Sequence, residues 1–166
     1  MNPAPLDVST MEGIVDALLN HGVTPADLRG ITGDELEAVY RLAYAALDAG
    51  EVREAFEHAS FLVCNDPWDR RFHVIAGVCL QQLGQLEAAY RSYTQALAFD
   101  ATDATCTYRV GECLLAMGEA AGARSAFEAA VKLSWADPDQ APVRDAALQQ
   151  LDQSSGMSDP DTAGNA

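Results

Sequence analysis

A 34-residue period governs this chain. Residues 36–69, 70–103 and 104–137 align without a gap. They read LEAVYRLAYAALDAGEVREAFEHASFLVCNDPWD, RRFHVIAGVCLQQLGQLEAAYRSYTQALAFDATD and ATCTYRVGECLLAMGEAAGARSAFEAAVKLSWAD. Gly50, Gly84 and Gly118 share a column, as do Ala55, Ala89 and Ala123, and Asp69, Asp103 and Asp137. A small residue also recurs at Ala43, Gly77 and Gly111. A unit this short cannot bury its apolar face alone and must stack on its neighbours, so the period dictates a solenoid.

Each column has a physical reason. The glycines end the first helix of each block, where a left-handed residue can satisfy free carbonyls without a Cβ penalty. The alanines open the second helix, and with Ala43, Gly77 and Gly111 they let the two helices of a hairpin touch. The aspartates close one block and N-cap the helix of the next. After Asp137, Pro138 suits a first helical position and Gln140 a capping-box partner. A further helix is therefore predicted over about 138–152, covering the apolar end of the third block.

The flanks read differently. Residues 10–20 form a short amphipathic helix whose apolar stripe is Met11, Ile14, Val15, Leu18 and Leu19. Gly22 ends it. Thr24–Asp27 and Thr32–Glu35 are two N-terminal capping signatures, the second opening the first block. Residues 154–166 lack apolar periodicity and read as a disordered tail.

This pattern resembles the tetratricopeptide repeat. The period, the small-residue columns and Pro67 match it, and Tyr93 and Phe127 fill the aromatic column of the second helix. The usual early tryptophan is replaced by Val39, His73 and Thr107. The expected fold is an all-α tetratricopeptide-repeat solenoid of three helix hairpins, with an N-terminal helix and a C-terminal capping helix. Its units are an N-terminal segment 1–33, repeats with cap over 34–153, and the tail.

Composition narrows the function classes. The net charge of the 166 residues is −15, and Lys132 is the sole lysine. Such a surface repels nucleic acid and anionic membrane and favours non-acidic partners. No stretch reaches the ~20 apolar residues of a membrane span. The opening MNPAPLDVSTMEG has neither the basic start nor the apolar run of a secretory signal, which makes the cytosol the expected compartment. Cys64, Cys79, Cys106 and Cys113 form no Cys-x-x-Cys pair and read as reduced, buried thiols. His21, His58 and His73 have no metal-ligand spacing, and His73 falls in a packing column. With no phosphate loop and no nucleophile elbow, the chain is expected to need no cofactor or metal and to be no enzyme.

Taken together, the N-terminal helix, linker, three repeats, capping helix and acidic tail are similar to the class II chaperones of bacterial type III secretion. LEAVYRLAY, DRRFHVIAGVCLQQLGQLEAAYRSY and GECLLAMGE carry the similarity, which runs from about residue 10 to 150. It implies a cytosolic chaperone that keeps hydrophobic translocator proteins soluble before secretion by holding a short extended segment of them in its concave groove. It also implies a homodimer, with Met11, Ile14, Val15, Leu18 and Leu19 as the candidate interface. A tetratricopeptide scaffold or adaptor that assembles a regulatory or envelope complex is the alternative.

In such repeats the groove is lined by the second, fifth, ninth and twelfth residues of each block. Here these are Glu37, Tyr40, Tyr44 and Leu47; Arg71, Val74, Val78 and Gln81; and Thr105, Tyr108, Glu112 and Leu115. The spacing i, i+3, i+7, i+10 puts each set on one side of its helix. Tyrosines supply contact area at little rotamer cost, while Arg71, Gln81, Thr105 and the hydroxyls offer hydrogen bonds to a peptide backbone. Separate columns such as Leu42, Ala76 and Val110 are expected to supply the hairpin core. A clamp for a client's terminal carboxylate is disfavoured, because its cationic positions are filled by Tyr40, Tyr44, Val78 and Thr105.

Overall fold

Left-handed glycines and side-chain caps set the helix boundaries. The computed structural model describes residues 8–156. The helices are α1 Met11–Asn20, α2 Pro25–Arg29, α3 Gly33–Asp48, α4 Val52–Asn65, α5 Arg70–Gln82, α6 Leu86–Phe99, α7 Ala104–Ala116, α8 Ala120–Ser134 and α9 Ala141–Gly156. Gly50, Gly84 and Gly118, at φ of 80°, 73° and 84°, turn the chain between the helices of each hairpin. Asp69 and Asp103 cap α5 and α7 by accepting the amides of Arg71 and Cys106. Thr24 with Asp27 and Thr32 with Glu35 form complete capping boxes at α2 and α3.

The hairpins interlock through an exchange of volume between columns. A Cβ at Gly77 would lie 2.7 Å from the Tyr93 ring, and one at Gly111 2.6 Å from Phe127. Each glycine is the space its partner ring occupies. In the first repeat the same two columns hold Ala43 and Ala59, both in one buried cluster. Ala55, Ala89 and Ala123 are buried in the same interfaces. Ala76 packs in a cluster with Ala55 and Ala59 of the preceding hairpin, and Val110 with Ala89, Tyr93 and Ala96.

Leu42, by contrast, is 54 % exposed and is not core. Its column packs against the second helix of the preceding hairpin, and α3 has no such hairpin before it. α2 fills only part of that place. It lies against α4 through Ala26 and Leu62 of one cluster, and Arg29 donates to the buried Asn65 at 2.7 Å. Along α1 the interior residue is Ala17, while Met11 and Leu19 are 76 % and 70 % exposed and Val15 also faces solvent. Ile14 and Leu18 are partly covered. Among the described residues, the N-terminal part of the stack therefore leaves apolar side chains exposed.

The C-terminal end is closed. Asp137 caps a 3₁₀ turn, Pro138–Gln140, through the amide of Asp139. Gln140 completes no capping box; its side-chain oxygen instead accepts from the Thr105 hydroxyl at 3.2 Å, joining the turn to α7. α9 then buries Ala147 against Ala123, Phe127 and Ala130, and Arg144 lies 4.2 Å over the Trp135 ring. The helix runs through Gly156, so residues 154–156 are helical; the rest of the expected tail, from Met157 on, lies outside the described residues. No helix of the described residues is long and apolar enough to cross a membrane.

Candidate peptide-binding groove

The twelve stripe positions share one physical property: none is buried, although each helix buries other positions between them. In α5, for example, Phe72, His73, Ile75, Ala76, Gly77, Cys79 and Leu80 are core, while Arg71, Val74, Val78 and Gln81 remain accessible. Contacts one repeat apart join the stripes of α3, α5 and α7 into one face. Arg71 pairs with Glu37 at 3.1 Å, and the Gln81 amide donates to Glu112 at 3.1 Å.

The stripe residues are not equally free. Tyr44 and Leu115, 44 % and 42 % exposed, project outward. Tyr40 and Leu47 also pack on the first core cluster, Val74 and Val78 on the second, and Tyr108 on the third-repeat cluster. Tyr40 stacks edge-on with Tyr44 at 5.0 Å and hydrogen-bonds its hydroxyl at 3.3 Å. Burial first, then that hydrogen bond, pushes the Tyr40 hydroxyl far above the usual phenol range, so it stays protonated.

Polar groups on this face mostly satisfy one another. Arg71 holds Asp69 and Glu37 and lies 4.9 Å over the Tyr40 ring. Burial pushes the Asp69 carboxyl up, but the Arg71 side chain and amide outweigh it and hold it below the usual carboxylate range. Arg71 is therefore a fixed ion-pair element. At the other end Glu112 accepts from Gln81 and, at 2.8 Å, from Arg109. Gln81 in turn accepts from the Tyr93 hydroxyl at 3.0 Å. Burial raises the pKa of Tyr108, the charge of Glu112 raises it further, and Gln150 of α9 opposes the rise. Arg109, Tyr93 and Gln150 thus border the face without belonging to the stripes. Tyr93 carried a signal in the aromatic column; Gln150 lies beyond the repeats, and no periodicity marks Arg109.

Other candidate groups lie elsewhere. His73 is buried, its ring nitrogen 2.8 Å from the Pro67 carbonyl oxygen and its ring stacked on Phe99. Among the described residues no group of three His, Cys, Asp or Glu is placed to hold a metal ion. Cys79, Cys106 and Cys113 are buried, whereas Cys64 is exposed. Its column explains the difference: the equivalents are Ala98 and Lys132, both on the outer side of the second helices.

Known proteins share this architecture. The tetratricopeptide-repeat family model matches residues 71–103. The low calcium response locus protein H of Yersinia pestis is 32 % identical over 127 residues, 76 % of this chain and 76 % of that protein. A type III secretion complex from Aeromonas hydrophila superposes with a TM-score of 0.81 at 32 % identity, covering 87 % of this chain and 96 % of that one. PcrH from Pseudomonas aeruginosa, solved with the chaperone binding region of PopD, gives 0.75 at 29 % identity over 78 % of this chain and 98 % of that one. With the repeat fold, the accessible face of its first helices and this likeness over most of its length, the chain belongs to the class II translocator chaperones of type III secretion, whose scaffold is the tetratricopeptide repeat.

Proposed function

We propose that this chain is a cytoplasmic, non-enzymatic chaperone that holds an extended segment of hydrophobic translocator proteins against the joined face of α3, α5 and α7. The observation that carries the reading is the accessible face that the stripe positions keep in helices that also supply the hairpin core. Its apolar members are Tyr40, Tyr44 and Leu47 on α3, Val74 and Val78 on α5, and Tyr108 and Leu115 on α7. PcrH is seen with the chaperone binding region of PopD, a client segment of the kind this face fits. Each buried apolar anchor contributes about 1.5–3 kcal/mol. Ordering a flexible peptide offsets much of that, so an isolated segment should bind with a Kd on the order of micromolar.

The test is co-expression with the translocator client, followed by titration of the segment that co-purifies. Val78→Glu sets an unpaired carboxylate where an anchor must be desolvated, and client capture should be lost. Since Val78 also touches the second core cluster, Tyr44→Ala and Leu115→Ala serve as companions that project from the face. Each should weaken binding by about 1–3 kcal/mol with an unchanged melt. Wild-type affinity in all three folded variants would remove the binding site from this face.

The N-terminal end supports self-association. Met11, Val15 and Leu19 on α1 and Leu42 on α3 are exposed apolar residues in the N-terminal part of the described residues. We assign this end, with Ile14 and Leu18 of the same helix, to a homodimer contact.

A further inference from the structure

We infer that Gln81 and Glu112 form a selective polar subsite within the groove, one that takes a carboxamide or hydroxyl side chain of the client and rejects a large apolar one. This rests on the groove reading above and sharpens it. The starting point is two broken columns. The twelfth position of the blocks is Leu47, Gln81 and Leu115; the ninth is Tyr44, Val78 and Glu112. The twelfth column is polar only at Gln81 and the ninth is charged only at Glu112, and these two are hydrogen-bonded to each other across adjacent helices at 3.1 Å. Two unrelated solvent-facing substitutions would have no reason to meet.

The pair is built in from below. Tyr93 is fully buried, its ring fills the space left by Gly77, and its hydroxyl donates to Gln81 from beneath. In the third repeat the corresponding ring is Phe127, which has no hydroxyl, and the residue corresponding to Gln81 is Leu115. In the first, Ala59 corresponds to Leu47. Polarity at the twelfth position thus follows the hydroxyl in the aromatic column. From the side, Arg109 donates to Glu112 at 2.8 Å, and Tyr108 and Gln150 complete the rim.

This cluster presents both donors and acceptors at zero local net charge, Arg109 balancing Glu112. A client cation would compete with Arg109 for the carboxylate, and a client anion would face it. A leucine laid over the cluster would strip water from Gln81 and Glu112 without returning a hydrogen bond. An Asn, Gln, Ser or Thr side chain returns one and can both donate and accept. Beside the apolar stretch from Tyr40 to Val78, the subsite fixes the register of the bound segment.

The test is an array of short synthetic peptides, each with two fixed leucine anchors, one proline to bar helix formation, and every residue type in turn at each other position. On the wild-type chain one position should prefer Asn, Gln, Ser or Thr over Leu by roughly ten-fold in Kd. The triple variant Tyr93→Phe/Gln81→Leu/Glu112→Val reproduces residues found in the same columns of the neighbouring repeats. It should still bind the array while that preference disappears. If the triple variant does not fold, Tyr93→Phe/Gln81→Leu copies the third repeat's pair, leaves the Glu112–Arg109 ion pair, and should show the same loss at smaller size. A wild-type array with no such preference, or a preference that survives in the folded variants, overturns the subsite and leaves the groove standing. An array retained equally by Val78→Glu overturns the groove reading, and the subsite with it.

Discussion

At Gly111 a single hydrogen decides whether a hairpin closes. A Cβ there would meet the Phe127 ring at 2.6 Å, and Phe127 is held in a buried cluster with Ala123, Ala130 and Ala147. Gly111→Ala should cost about 1–3 kcal/mol through overpacking, and Phe127→Ala about 3–5 kcal/mol through the cavity it leaves. Together they recreate the Ala43/Ala59 pairing of the first repeat, so the double variant should cost less than the sum, with a coupling of about 0.5–3 kcal/mol. Urea unfolding of the four proteins checks this, and strict additivity would mean the glycine and the ring do not share space. The thiols offer a second residue-scale test. Burial pushes Cys79 and Cys113 up to about 11 and Cys106 up to about 12, so all three stay as unreactive, inaccessible thiols at neutral pH. Iodoacetamide should label Cys64 alone in the native chain and all four cysteines in denaturant; two or more labels under native conditions would contradict the packing.

At the level of elements, what could be read from the sequence was what each repeat does for itself. Turn glycines, capping aspartates and small-residue columns act within one hairpin or at its junction, so each left its own periodic mark. What could not be read depends on position along the stack. Leu42 occupies a core column, but a column is core only where a preceding hairpin exists, and the alignment cannot show that α3 lacks one. Cys64 was legible in principle, since Lys132 shares its column and advertises exposure. Spacing puts each groove stripe on one side of its helix, and the resemblance to the repeat family picks which side; the link between Gln81 and Glu112 was not legible, since cross-helix pairing has no sequence period. The two ends yield opposite predictions. α9 buries Ala147 against Phe127 and Ala130, so deleting residues 138–166 should expose that cluster and lower the melting temperature clearly or abolish solubility. Deleting residues 1–20 removes a helix that buries Ala17 but leaves Met11 and Leu19 in solvent. That deletion should convert a dimer to a monomer by light scattering while the helical melt persists, and an unchanged mass would clear α1 of the assembly contact.

Across the whole molecule, 25 acidic residues face 10 basic ones; among the described residues Arg71–Asp69, Arg109–Glu112, Arg91–Glu87 and Arg124–Glu128 pair within one turn, and Arg71–Glu37 and Arg70–Asp103 pair between repeats. Exposed pairs of this kind stabilise little, about 0–1 kcal/mol each, while the excess charge repels itself along the length of the stack. Salt therefore acts mainly on the repulsion. Raising NaCl from about 0.02 M to about 0.3 M shortens the screening length from roughly 20 Å to under 10 Å, and the melting temperature at pH 7 should rise. Acid acts on a different set. Hydrogen bonds from Thr24, Thr32 and Thr102 hold Asp27, Glu35 and Asp100 below the usual carboxylate range, and Arg71 does so for Asp69 against its burial. A carboxylate whose pKa is depressed by folding stabilises the fold fully above its unfolded value, here 3.8 for the aspartates and 4.5 for Glu35, and that contribution is lost as pH falls through the folded value. These capping and ion-pair contributions are thus intact from pH 7 to about pH 5 and are lost progressively below about pH 4. Melts in high salt, where repulsion is screened, should show an acid limb confined to that lower range. If stability in high salt instead falls between pH 7 and pH 5, the capping carboxylates are not the groups that acid removes.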